Sequence, residues 1–265
     1  MTTQTVEEPQ VSDAATDASR WERLLALSGV AFAPLFVVGW LTSAVSDSPN
    51  YIAAQEKWIK WAHHDHIKGR ISSFALVLAA FVFIYFLAAL RSALEEAESS
   101  VGGSRELARV AFAGALTGIV GITMAFVSIA NASAPGANAD PLVSKAVTTG
   151  AAGPFLVGAT GFSAFLMATG VLTLRTGVLS RWTGFVALIG SGCFFITLLT
   201  ILNNSGNGSA FGYAFFPAML SLVIWTVSVG ISRYRATAAP APSRRPRGGG
   251  DNTASPHRST SSSSL

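Results

Sequence analysis

The sequence predicts an all-α polytopic membrane protein, a bundle of six transmembrane helices with both termini cytoplasmic. Charged residues make up only 12% of the 265-residue chain, about half the share of an average soluble domain. The hydrophobic fraction of 50% discriminates little, because soluble domains already reach about 45–50%. The charges are also segregated: none falls within 24–46, 71–90, 110–139, 146–174 or 182–232. A soluble helical fold would need charges on each helix to keep an outer face wet. Lysine and arginine alternate in abundance between successive connecting segments, and this sets the orientation.

A hydrocarbon core of about 30 Å takes roughly 20 helical residues to cross. The first two uncharged runs each fit one crossing, at about 24–45 and 71–91. The third and fourth each hold one crossing and a polar loop, giving spans at about 107–130 and 152–174. The fifth is long enough for two, about 182–202 and 211–232, divided by the turn Asn203-Asn204-Ser205-Gly206-Asn207-Gly208-Ser209. Asn and Ser side chains compete with the backbone ladder and Gly tolerates positive φ, so such clusters form loops. Helices are expected rather than a barrel because the runs are continuously apolar, without alternation.

An even number of spans places both ends on one side. That side carries Arg20, Arg23, Arg91, Arg105, Arg109, Arg175, Arg181, Arg233, Arg235, Arg244, Arg245 and Arg247, against Lys57, Lys60, Lys68, Arg70 and Lys145 opposite. Twelve cations against five make the arginine side cytoplasmic. Residues 1–19 have no apolar periodicity and are expected to form a disordered acidic tail. Residues 20–235 hold the six-helix domain, and 236–265, rich in Pro, Gly, Ser and Arg, form a disordered basic tail. The first apolar stretch is longer than a signal-peptide core and more spans follow, which argues against cleavage.

The first outer loop contains Trp58-Ile59-Lys60-Trp61-Ala62-His63-His64-Asp65-His66. On a helix His63 and His66 share a face and would offer two imidazoles to zinc or copper, with Asp65 or a water completing the shell. The competing reading is an interfacial segment, with Trp58 and Trp61 at headgroup depth and the lysines towards water. A pH-responsive patch is the third reading, since histidine titrates near pH 6.5. Gly114 and Gly118 make a small-xxx-small pattern in the third span, with Gly121 on a nearby face. It predicts close helix packing, within this bundle rather than along a homodimer seam. Pro34 and Pro217 are expected to bend the first and sixth spans. Asp140-Pro141 reads as an N-cap followed by proline at the first helical position. It predicts a short surface helix running into the fourth span, broken near Gly150, Gly153 and Pro154.

Two segments echo one another, Ser19-Arg20-Trp21 and Ser180-Arg181-Trp182. Each pairs a headgroup arginine with an interfacial tryptophan where a span leaves the cytoplasm. Arg233, Arg235, Arg244, Arg245 and Arg247 after the last span are expected to contact anionic lipid headgroups at the cytoplasmic face. Nucleic acid is not an expected partner, because the cluster has no folded module or aromatic platform around it.

No Asp, Glu, Lys, Arg or His lies well inside any predicted span. Proton relays and ion-coupled carriers usually keep a carboxylate or histidine at membrane depth. A b-type haem needs axial ligands inside the bundle, and a retinal Schiff base needs a lysine. Cys193 is the only cysteine, so no intramolecular disulfide can form. There is no nucleotide loop, no H-E-x-x-H and no G-x-S-x-G. The span hydroxyls, among them Thr117, Thr123, Ser163, Thr169, Ser191 and Thr226, can satisfy carbonyls of the helices without a ligand. Neither an enzyme nor a resident cofactor is expected.

Leu27-Ser28-Gly29-Val30-Ala31-Phe32 in the first span is followed by Gly69-Arg70-Ile71 leading to Phe86-Leu87-Ala88-Ala89-Leu90-Arg91. Leu174-Arg175-Thr176-Gly177-Val178-Leu179-Ser180-Arg181-Trp182 and the basic end of the sixth span complete the pattern. Together these stretches, over roughly 22–235, resemble an uncharacterised actinobacterial family of six-helix integral membrane proteins. The resemblance implies topology and no activity, and the histidine segment is not part of its pattern. The preference for Arg over Lys, with abundant Ala and Gly, fits a GC-rich bacterium.

The expectation is a multi-pass, non-enzymatic protein of the cell membrane, working through helix-helix, lipid or membrane-protein partner contacts, a homodimer included. Two alternatives stand beside it: a small permease or channel for an uncharged solute, and an outer-face metal-binding or pH-sensing protein using 63–66. A midplane cavity would favour the permease, and a packed bundle the contact protein.

Overall fold

The computed structural model describes residues 11–42, 55–133, 140–199 and 213–238, and among these every regular element is helical. In chain order they are α1 (Val11–Leu41), α2 (Gln55–Ser100), α3 (Glu106–Ser133), α4 (Pro141–Gly150), α5 (Ala152–Thr176), α6 (Arg181–Leu198) and α7 (Phe215–Ala238). Six segments are long and apolar enough to cross a membrane: Trp21–Leu41, Ile67–Ser100, Glu106–Ala132, Pro141–Thr176, Arg181–Leu198 and Phe215–Ala236. Each contains or overlaps one of the spans expected from the uncharged runs.

The helices form a closed ring. Each of the six long helices packs on its neighbour in sequence, α1 on α2, α2 on α3, α3 on α5, α5 on α6 and α6 on α7, and α7 returns to α1. Short turns enforce antiparallel neighbours. Between α2 and α3, Gly102 takes φ +76° and Arg105 φ +65°. Between α5 and α6, Gly177 takes φ +66° and its amide bonds to the Thr173 carbonyl at 2.9 Å, the left-handed C-terminal cap that glycine adopts without steric cost.

Two helices outrun their predicted spans by more than ten residues at one end. α2 has 46 residues, about 70 Å at 1.5 Å per residue, more than twice the hydrocarbon thickness. It is therefore longer than one crossing requires. The charges from Arg91 onward end the apolar run but not the helix, because Ala93, Leu94 and Ala97 keep an inward stripe buried. α1 is helical from Val11, so 11–19 continues the first helix rather than forming the structureless tail expected. The segment is rich in alanine, a strong helix former, and Asp13 falls in the first turn, where negative charge is favoured. Residues 1–10 and 239–265 lie outside the described residues, as does the 203–209 turn.

Asp140 caps α4 as its sequence predicts: its side chain accepts from the Leu142 amide at 2.7 Å and the Val143 amide at 3.3 Å, with Pro141 at the first position. The break before α5 falls at Ala151. Pro154 explains it, having no N–H to donate to the Gly150 carbonyl. Pro34 lies within a helix that runs through it, on the exposed face. Pro217 sits in the first turn of α7, where a missing amide costs little.

Candidate functional site

The axis of the ring, where a transporter would keep its site, is filled with aromatic rings. Phe83 of α2 is fully buried and stands 4.6 Å from Phe32, 6.2 Å from Phe162 and 6.2 Å from Phe165, centroid to centroid. Phe165 lies edge to face on Trp225 of α7 at 5.1 Å, and Phe162 meets Phe194 of α6 at 5.5 Å. Five of the six long helices supply these rings. Each such pair is worth about 0.5–1.5 kcal/mol beyond area burial.

The sixth, α3, supplies smallness instead. A Cβ on Gly114 would lie 2.8 Å from the Gly161 carbonyl oxygen and 2.8 Å from the Phe165 nitrogen, and one on Gly118 would lie 2.6 Å from the Phe162 ring. Gly121 abuts Gly158 in the same way. Gly114 and Gly118 thus pack α3 against α5 in the most extensive pairing of the fold. With no water to expel inside a bilayer, this close approach supplies the dispersion contacts that hold helices together.

Polar groups inside the ring are mostly satisfied by the chain itself. The Ser163 hydroxyl donates to the Ser191 carbonyl at 3.0 Å, and the Ser191 hydroxyl donates to the Ser163 carbonyl at 2.8 Å. Ser72 of α2 donates to the Gly39 carbonyl of α1 at 2.6 Å. Thr169 and Thr226 bond back to their own helices. The exceptions include Trp225 Nε1 and Thr173 Oγ1, both fully buried without a hydrogen-bond partner.

At the arginine end, Glu98 is 5% exposed, and its position is not evident from the sequence. Its carboxylate accepts from the Leu107 amide at 3.2 Å and the Ala108 amide at 3.0 Å, capping α3 from the end of α2. Negative charge at a helix N-terminus is favoured by the dipole and by the unpaired amides. The reach of nine and ten residues exceeds any local capping pattern, so no short motif announces it. Nearby, Arg91 bonds Glu95 at 2.7 Å and stands 5.0 Å over the Phe112 ring. Arg109, Arg175, Arg181 and Arg235 are exposed on the same end of the bundle, and Arg233 is half-buried there. Trp21 and Trp182, partners in the sequence echo, are 56% and 50% exposed at this end. Arg244, Arg245 and Arg247 lie outside the described residues.

At the opposite end the interfacial reading of the first loop fails for Trp61, while Lys57, Lys60 and Lys68 are exposed as it expects and the side chain of Trp58 lies outside the described residues. The 55–70 segment is the start of α2, and Trp61 is 5% exposed, not at a lipid surface. It packs with Ala125, Ile129 and Ala132 of α3, Val147 of α4, and Ala151 and Phe155 at the start of α5. Ser144 of α4 donates to the Ala132 carbonyl at 2.9 Å. These contacts build a small cap on the bundle. His64 is exposed, while the side chains of His63, Asp65 and His66 lie outside the described residues. Among the described residues no group of three or more His, Cys, Asp or Glu side chains is placed to hold a metal.

On the flank of the ring a groove of about 670 Å³ opens outward between α3 and α5, lined by Leu116, Val120, Met124, Gly153, Pro154 and Val157 among others. It is almost wholly apolar and lies beside the glycine contact, where the absence of side chains leaves space. No family model, curated protein or solved structure matches the chain.

Proposed function

We propose that the chain is a multi-pass protein of the cell membrane, with the arginine end and both termini in the cytoplasm. It does no bond chemistry and acts through contacts of its helices with lipid, with a membrane-protein partner or with another copy. The same proposal places it with the six-helix actinobacterial proteins whose span order it resembles.

The observation that carries this reading is the filled axis. Phe83, Phe162, Phe165 and Trp225 occupy the centre where a solute path would run. Among the described residues of the spans, no buried side chain is ionisable except Glu98 at the arginine end. The outer faces carry the surface that meets hydrocarbon, including Phe74, Phe81, Phe185 and Ile189, each more than half exposed. The asymmetry of arginine supports the orientation.

Proteoliposomes test it. Shrinkage in hyperosmotic glycerol or urea, followed by light scattering, should match that of protein-free liposomes. Accelerated solute entry would instead favour a permease. Purification in mild detergent, with mass spectrometry of what stays bound, would then identify the partner or lipid class.

A further inference from the structure

The outward face of α2 carries two surfaces in one line. Lys57, Lys60, His64, Ile67, Ile71 and Phe74 follow at steps of three, four, three, four and three, and all six are exposed. Residues at these intervals share a helix face. Its lower part is fully apolar, with Ile67 60%, Ile71 49% and Phe74 73% exposed. Its upper part is cationic, and Lys68 and Arg70 make the same segment more positive, against Glu56 and Asp65.

We infer that this face binds one anionic phospholipid of the leaflet at the capped end, its phosphate held by Lys57, Lys60 and His64 and its chains lying along Ile67, Ile71 and Phe74. The inference rests on the membrane-spanning reading and names a ligand for it. From His64 to Phe74 the helix rises about 15 Å, which is half the hydrocarbon thickness and thus the depth of one leaflet. A lipid whose phosphate stands at His64 therefore has its chains alongside the apolar residues. Ammonium groups recognise phosphate as point charges and need no bidentate geometry, which suits flexible lysines on an exposed helix.

A step pattern of three and four would equally suit a coiled-coil seam with a second copy. Charge decides against it. Two copies inserted in one membrane point the same way, so a twofold pairing along this face would set the charges of Lys57 and Lys60 against their own copies. An anionic headgroup neutralises the same cluster.

The test uses the full chain with Ile67→p-benzoylphenylalanine, reconstituted in vesicles of equal phosphatidylglycerol and phosphatidylcholine with matched acyl chains. After irradiation, mass spectrometry reads the ratio of the two lipid adducts. The expected result is an excess of phosphatidylglycerol adduct of about thirtyfold, the effect of two lysines near an anionic headgroup. Adding Lys57→Gln, Lys60→Gln and His64→Gln should return the ratio towards one. A ratio of one in the parent, or a crosslinked dimer as the main product, overturns the inference. Release of the protein from the vesicles by alkaline carbonate overturns the membrane reading itself, and the two failures are thus separable.

Discussion

Gly121 of α3 and Gly158 of α5 meet backbone to backbone: a Cβ on Gly121 would stand 2.5 Å from the Gly158 nitrogen, and one on Gly158 would stand 2.6 Å from the Ile122 nitrogen. Neither neighbour can swing aside as a side chain would. Gly121→Leu must therefore separate α3 from α5, and is expected to cost about 3 kcal/mol or more, the upper range of overpacking penalties. Gly192→Ala is the control, since a Cβ there meets nothing within 4 Å. It should leave stability unchanged or raise it by up to about 1 kcal/mol through helix propensity. The half-buried thiol of Cys193 reports both, because a maleimide dye reacts with it as the bundle melts.

The reciprocal serine pair makes a smaller claim. Each hydroxyl bonds the other residue's backbone carbonyl, so removing one leaves the other bond in place. Ser163→Ala and Ser191→Ala should each cost about 0.6 kcal/mol, as hydrogen bonds between membrane helices average. The 3.2 Å hydroxyl-hydroxyl contact should add a small coupling in the double variant. Thermal midpoints in one fixed detergent check this. A loss of several kcal/mol from either single change would mean that the pair does more than join two helices.

Trp61 ties the outer extension of α2 to α4 and to the ends of α3 and α5. Trp61→Ala removes the centre of that cluster, so the cap should loosen while the ring stays closed. Hydrogen exchange is expected to accelerate over 55–66 and 141–150 and to remain slow over 159–172, which pack in the main core. Uniform acceleration through α5 would show that the cap is not a separate unit.

Glu98→Ala leaves the Leu107 and Ala108 amides without their acceptor. A loss of about 1–3 kcal/mol is expected, the cost of an orphaned buried group. Glu98→Gln keeps one carbonyl acceptor and should recover part of it. Since the contact is buried, added salt should change the difference little.

Much of the fold is legible because bilayer crossing demands long uncharged runs, and local capping is legible because Asp140-Pro141 acts within a few residues. The ends of α2 escape this logic. Arg91 and Glu95 end the apolar run, yet an inward stripe through Leu94 and Ala97 keeps the helix packed. Trp61 reads as an interfacial anchor until α4 is seen to fold over it, because a tryptophan beside lysines fits both settings. Glu98 is hidden by distance along the chain. The glycines at 114 and 118 announce close packing, but the partner helix is fixed only by the closure of the ring.

The central claim is six crossings with the arginine end inside, and cysteine accessibility tests it most directly. In a Cys193→Ala background, Ser104→Cys marks the turn between α2 and α3, and Thr149→Cys marks the exposed side of α4. In intact cells a membrane-impermeant maleimide should label position 149 and reach position 104 only after permeabilisation. Labelling of position 104 in intact cells, with position 149 protected, would reverse the orientation. Equal labelling of both before permeabilisation would contradict a membrane-spanning bundle.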